Sequence, residues 1–313
     1  IWTLNGLDAL TPPTIELALA DTHPGVRRNA VRIAAISPVK AERLTRLVND
    51  PDAKVRLELA STLGAYDTPI TGQAIAQLLT EPDDHQYIMA AAMSSLNARN
   101  VSTVLDSFIR SEKKIDTPIT SELIGQAVAV GDKNSISGII ETVCQTRGKP
   151  GVQHRFENLA KILDGLSIRH WSLSQLSISA RARVTEMTQL ARVVAQNQAA
   201  DPSDRAKSIQ LLAREVAATK ADFQIMKELL VPQSPAEIQR AVVSQFARRG
   251  DSSAGEYLLS GWTSHTPALR AQILDVIAKN IENPEWHKSL DKYHKGKEQT
   301  CGKLNGKFTS LHT

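Results

Sequence analysis

The chain has 313 residues, with 37 Lys and Arg against 33 Asp and Glu, a net charge of +4, and only 4% aromatic residues. That length admits two ordinary domains or one repeat array, and a core supplied by Ala, Leu, Ile and Val suits helices packed across thin interfaces rather than large aromatic clusters. Two cysteines, Cys144 and Cys301, are too few for a disulfide framework.

The charge is unevenly placed. Residues 283–313 hold six Lys against Glu285, Asp291 and Glu298, which leaves residues 1–282 near neutrality at +1. A nucleic-acid-binding surface needs a basic stripe to neutralise phosphates, and the body of the chain has no dominant one. No stretch approaches the ~18 consecutive apolar residues of a membrane span. The chain begins with Ile and has no charged leader before an apolar run, so it is expected to be a segment of a larger product, with any signal peptide upstream.

Taken in order, Ile1-Trp2-Thr-Leu4-Asn-Gly6-Leu7 is a short apolar helix in which Trp2 is expected to be core. Thr11-Pro-Pro-Thr14 caps a helix carrying Ile15, Leu17, Ala18 and Leu19. Asp21-Thr-His-Pro-Gly-Val26-Arg27 is then echoed by Asp50-Pro-Asp-Ala-Lys-Val55-Arg56, 29 residues later. In both copies apolar residues follow the Val at four and eight positions: Ala30 and Ala34, then Leu59 and Leu63. A turn, a cap and an apolar stripe of helical period, restarted at this interval, describe paired helices in a repeat.

Ser37-Pro38 breaks to a second helix with Leu44, Leu47 and Val48, and Thr68-Pro69 opens its counterpart with Ile75, Leu78 and Leu79. Pro in the first turn lacks only an amide hydrogen that would be unpaired there anyway. Glu81-Pro82-Asp83-Asp84 opens a more degenerate pair, Tyr87 to Leu96 and Val101 to Ile109. Asp116-Thr-Pro118 and Asp132 start two further helices, and Gly148-Lys-Pro150-Gly151 marks a turn. Residues 152–200 are expected as two longer helices with a bend in the Ser-rich section from Ser167 to Ser179. Asp201-Pro202 restores the rhythm through Ile209, Leu211, Leu212 and Val216, and Ser234-Pro235…Ile238 is matched by Thr266-Pro267…Leu269, 31 residues later. The expected fold is an all-α, HEAT/armadillo-like α-solenoid of roughly eight stacked helix pairs. It spans residues 1–286, followed by a Lys- and Gly-rich tail over 287–313.

No residue set forms a convincing active site. Arg27, Arg56 and Arg270 sit beside the apolar stripe in the first turn of their helices, where a guanidinium opposes the helix dipole unless a carboxylate is near. They are candidates for partner binding through an acidic or phosphate group, and for structural ties to an Asp of an adjacent turn such as Asp50 or Asp52. Asp50 with Asp52, and Asp83 with Asp84, fall at helix starts and are expected to accept hydrogen bonds from free amides rather than to hold a metal. The eight His (His23, His85, His154, His170, His265, His287, His294 and His312) are scattered, without HExxH or zinc spacing. There is no GxSxG, GxGxxG or P-loop, so no cofactor or metal is expected.

Ile1-Trp-Thr-Leu-Asn-Gly-Leu, Asp21-Thr-His-Pro-Gly-Val-Arg, Asp50-Pro-Asp-Ala-Lys-Val-Arg and Asn283-Pro-Glu-Trp286 together resemble the HEAT-repeat segment of large planctomycete-type heme-binding proteins. In that family a sorbosone-dehydrogenase-like β-propeller precedes the repeats and a small c-type cytochrome domain follows. Glu298-Gln-Thr-Cys301-Gly302-Lys-Leu-Asn-Gly306 resembles a damaged copy of the cytochrome motif C-x-x-C-H, or is a short tail that matches by accident. Cys301 matches the second thiol, Glu298 replaces the first Cys and Gly302 replaces the axial His, so the resemblance implies that covalent heme attachment is lost. It also implies export. The functional expectation is a non-catalytic scaffold or spacer for a protein partner or neighbouring domain. An electron-transfer or dehydrogenase component and a HEAT-like nucleic-acid-binding solenoid are the alternatives.

Overall fold

Helix starts are set locally by Pro and by side chains that accept hydrogen bonds from free amides. The computed structural model describes residues 1–37, 39–80, 86–111, 118–145, 152–214, 219–249 and 252–280, and among the described residues it contains seventeen α-helices and no strand. Pro38, the Glu81–His85 opening, Asp116-Thr117, the Gly148–Gly151 turn, Val216 and the whole tail from 281, with Trp286, Cys301, His287, His294 and His312, lie outside the described residues.

The chain divides into two compact units, Ile1–Val184 and Thr185–Thr313. The first contains α1 (Trp2–Gly6), α2 (Pro12–Leu19), α3 (Pro24–Ala34), α4 (Ala41–Thr45), α5 (Ala53–Thr62), α6 (Pro69–Leu78), α7 (Gln86–Ser94), α8 (Val101–Arg110), α9 (Pro118–Val130), α10 (Lys133–Gln145) and α11 (Val152–Ile168), of which α2 to α8 alternate between two layers. α3, α5 and α7 stack in one layer and α2, α4, α6, α8 and α10 in the other, while α9 packs on α11 and α8. α12 (Ile178–Gln196) crosses the division. In the second unit, α13 (Pro202–Ile209), α15 (Ala236–Arg249) and α17 (Pro267–Lys279) stack together, and α14 (Thr219–Leu229) packs on α16 (Ser252–Ser260). This is the stacked helix-pair order of an α-solenoid, in which a unit buries its apolar face against its neighbours.

The period-four stripe forms the core of both units. Ala30, Ala34, Val55, Leu59 and Leu63 are at most 1% exposed, and Val26 at the start of the first copy is half-buried. Ile238, Val242, Phe246, Leu269, Ile273 and Ile277 occupy the same positions in the second unit and are equally buried. Each fully buried Val, Leu, Ile or Phe among them contributes roughly 1.5–3 kcal/mol, so a few per interface hold a layer.

Three expectations change in detail. Trp2 is 45% exposed instead of core, and α1 buries none of its residues. Its indole N–H donates to Asn29 Oδ1 at 2.9 Å, which ties the exposed ring to α3. The helix expected through Val48 ends at Thr45 and tightens into a 3-10 turn over Arg46–Asn49, a common end for a short helix. Thr11 makes no capping bond to an amide; its hydroxyl pairs with that of Thr14 at 2.9 Å.

Close helix approach is visible at Gly165 in α11. A Cβ there would overlap Cγ1 of Val128 in α9, and Val128 is buried and β-branched, with little freedom to move. Gly165→Ala is therefore expected to destabilise by about 1–3 kcal/mol despite the better helix propensity of Ala, and Val128→Ala in the same chain should restore much of the loss. Urea unfolding of the single and double variants measures both; a stabilised single variant would contradict the close contact.

Candidate functional site

The arginines that the sequence singles out converge on turns. Asp21 accepts the His23 amide at 2.7 Å, and His23 Nδ1 accepts the Gly25 amide at 3.1 Å, so the chain enters α3 through two successive side-chain caps. One helical turn later Arg27 reaches back with Nη1 to the carbonyls of Asp21 (2.9 Å) and Thr22 (3.0 Å). Its Nε and Nη2 engage Asp50 Oδ2 and Oδ1 at 2.7 and 2.8 Å, a bidentate pair across one repeat. One guanidinium thus fastens its own entry turn to the next.

Asp50 is the shared acceptor. Its side chain is 3% exposed, and Oδ1 also takes the Asp52 amide at 2.9 Å. Asp52 is the true cap of α5, accepting from the amides of Lys54 (2.8 Å) and Val55 (3.2 Å). Burial alone would raise the Asp50 pKa; the Arg27 hydrogen bond, the Asp52 amide and the charges of Arg27 and Arg56 outweigh it and hold the carboxyl below its usual range. Arg56 repeats the backward reach, donating to the Asp50 carbonyl at 2.6 Å.

Arg270 differs from the expected carboxylate tie. Its Nε and Nη2 donate to the carbonyls of Trp262 and Thr263, both at 2.9 Å, and its guanidinium lies 5.7 Å from the Trp262 ring centre. The segment before α17 is a 3-10 turn over Trp262–Ser264 with no Asp in it, so carbonyls take the carboxylate's place. Arg27 and Arg56 share Asp50, while Arg270 stands in the second unit with a different partner set.

Sequence reasoning missed further ties of the same kind. Along the opposite edge of the first unit, each turn within a helix pair is bonded to the preceding one. The Tyr66 hydroxyl donates to the Ala34 carbonyl at 2.8 Å and accepts the Val39 amide at 3.2 Å, and burial raises its pKa. Asn97 donates to the Gly64 carbonyl at 3.1 Å, Ser135 to that of Ala98 at 2.8 Å, and Arg169 to those of Val128 and Gly131, both at 2.6 Å. Arg169 also stacks 3.7 Å from the centre of Trp171. In the second unit Arg192 pairs with Asp222, whose side chain is fully buried, through Nε–Oδ1 at 2.6 Å. No single-sequence signal marks these residues, since their partners are mostly main-chain carbonyls 30 or more positions away.

Among the described residues no group of three His, Cys, Asp or Glu could hold a metal, and no helix is long and apolar enough to cross a membrane. The arrangement fastens turns.

A family model described as HEAT repeats matches residues 11–97, the part of the chain that contains both Val-Arg copies. No curated protein matches. An engineered protein of known crystal structure is similar at 14% identity, over 91% of this chain and 82% of that one, with a TM-score of 0.36, too slight a likeness to carry an argument.

Proposed function

We propose that the chain is a non-catalytic HEAT-type scaffold that presents the surface of its stacked helices to a protein partner or a neighbouring domain. The observation that carries this reading is the use of its recurrent charged residues. Arg27, Arg56, Arg270 and Asp50 are engaged in holding turns together, so that what remains for recognition is the outward helix surface. HEAT arrays act by such extended surfaces. The one-array extent over residues 1–286, which rests on the 29- and 31-residue repeat spacings, and an origin in a multidomain redox protein, which rests on the resemblance of the sequence, belong to the same proposal.

The outward charges of the two layers offer a test. Arg32 on α3 is 53% exposed and pairs with Glu58 on α5; Arg43 on α4 is 46% exposed and pairs with Glu16 on α2. Such exposed pairs contribute at most ~1 kcal/mol, so Arg32→Glu and Arg43→Glu should fold normally. A partner identified by crosslinking in the source cells should bind the purified chain saturably. Reversal on the layer it uses should weaken calorimetric affinity at least about tenfold, while reversal on the other leaves it unchanged. A covalent, reducible, Soret-absorbing species after reconstitution with heme would overturn the non-redox reading, and tight, salt-dependent binding of duplex DNA would favour the nucleic-acid alternative.

A further inference from the structure

His265 joins the 3-10 turn Trp262–Ser264 to α17 and is 4% exposed. Neither ring nitrogen has a hydrogen-bond partner. The ring is seated against Gly261 so closely that a Cβ at that position would lie 2.6 Å from Cε1, which leaves the ring no room to swing toward residue 261. Arg270 on α17 clamps the Trp262 and Thr263 carbonyls of the same turn, so its charge is held close to the segment that carries the ring. The turn itself has no ionisable side chain, α16 carries Glu256 and Tyr257, α15 carries Glu237, Arg240, Arg248 and Arg249, and α17 carries Asp275 and Lys279. Of these described groups and Arg270, the charge acting on the imidazole is that of Arg270.

We infer that His265 is an acid-sensitive latch: the neutral imidazole packs the α16–α17 turn shut, and a proton on the ring opens it. A buried imidazolium needs two acceptors, and here the nearby acceptor is the Leu258 carbonyl alone, while Arg270 adds a like charge. Burial first pushes the His265 pKa below the ordinary histidine value, the nearby Leu258 carbonyl opposes this without reaching hydrogen-bond geometry, and Arg270 adds to the depression. The unfolded chain then binds the proton more readily than the folded one. The latch is fully effective above about pH 6.5, the unfolded value, and is lost as pH falls through the lower folded value.

Hydrogen exchange of the full chain tests this over Leu258–Leu269. After correction for the intrinsic pH dependence, going from about pH 7.5 to about pH 5 should speed exchange roughly tenfold or more in the wild type and leave it unchanged in His265→Gln. Parallel behaviour of the two chains overturns the proposal. Should His265→Gln not fold, the Cε1 proton of His265 in the wild type decides by NMR: a titration midpoint below the ordinary value supports the latch, and one at or above it removes the latch.

Discussion

Asp50→Ala is expected to destabilise the Ile1–Val184 unit by about 3–5 kcal/mol, because it strands a guanidinium that is itself largely buried. Arg27 is 12% exposed at its side chain and loses two charge-assisted bonds at once. The Asp52 amide loses its acceptor as well, so the entry to α5 loosens together with the tie to α3. Urea unfolding measures the loss, and the double variant Arg27→Met with Asp50→Ala should cost less than the sum of the singles. A loss below ~1 kcal/mol would place this pair with ordinary surface ion pairs. The pH dependence has a definite sign. The folded pKa of Asp50 lies below its unfolded value, so its contribution is complete above about pH 3.9 and disappears as pH falls through the folded value. Asp50→Ala should therefore unfold with less dependence on pH in that acid range than the wild type.

Asp222→Ala is expected to cost a similar ~3–5 kcal/mol in the second unit. The carboxylate is completely buried and accepts Arg192 Nε at 2.6 Å, Arg192 Nη2 at 3.3 Å and the Ala213 amide at 2.8 Å. Ala213 stands at φ 56°, a left-handed conformation unfavourable for a residue with a Cβ, and the Asp222 bond to its amide is one of the contacts that hold it there. Removing the acceptor releases the α13–α14 connection and leaves a buried amide unpaired. Asp222→Asn keeps one carbonyl acceptor and should lose less. Exchange of the Ala213 amide should accelerate in both variants, more in Asp222→Ala; an unchanged amide would show that the carboxylate does not hold the turn.

The Asp50-Pro-Asp and Val-Arg elements could be read as a helix entry because capping and Pro placement act over two to four residues. Asp52, Thr68, Asp201 and Thr266 all accept amides in the first turns of their helices. The Asp50 partnership was among the readings the sequence offered for Arg27, since it requires only that adjacent repeat turns lie side by side. Arg270 was not legible in the same way: an arginine at the same place in the pattern finds carbonyls when its turn lacks an Asp, and a carbonyl is present at every position of the chain. Arg192 and Asp222 escaped for a related reason. They lie on a helix and a loop-proximal helix start outside the recognised repeats, and pairing across 30 residues depends on how those elements pack.

The amino-acid sequence by itself determined that this protein is helical, where most of its helices begin, and which stripe of each is apolar, because these follow from short-range sterics, unpaired terminal amides and the 3.6-residue period. Only the tertiary structure decided which turn each guanidinium fastens, that Trp2 lies at the surface, that α9 and α11 meet at Gly165, and that His265 is buried with neither ring nitrogen hydrogen-bonded. Those outcomes depend on distances between elements, which a periodic pattern leaves open because the same stripe can be buried by neighbours at several registers.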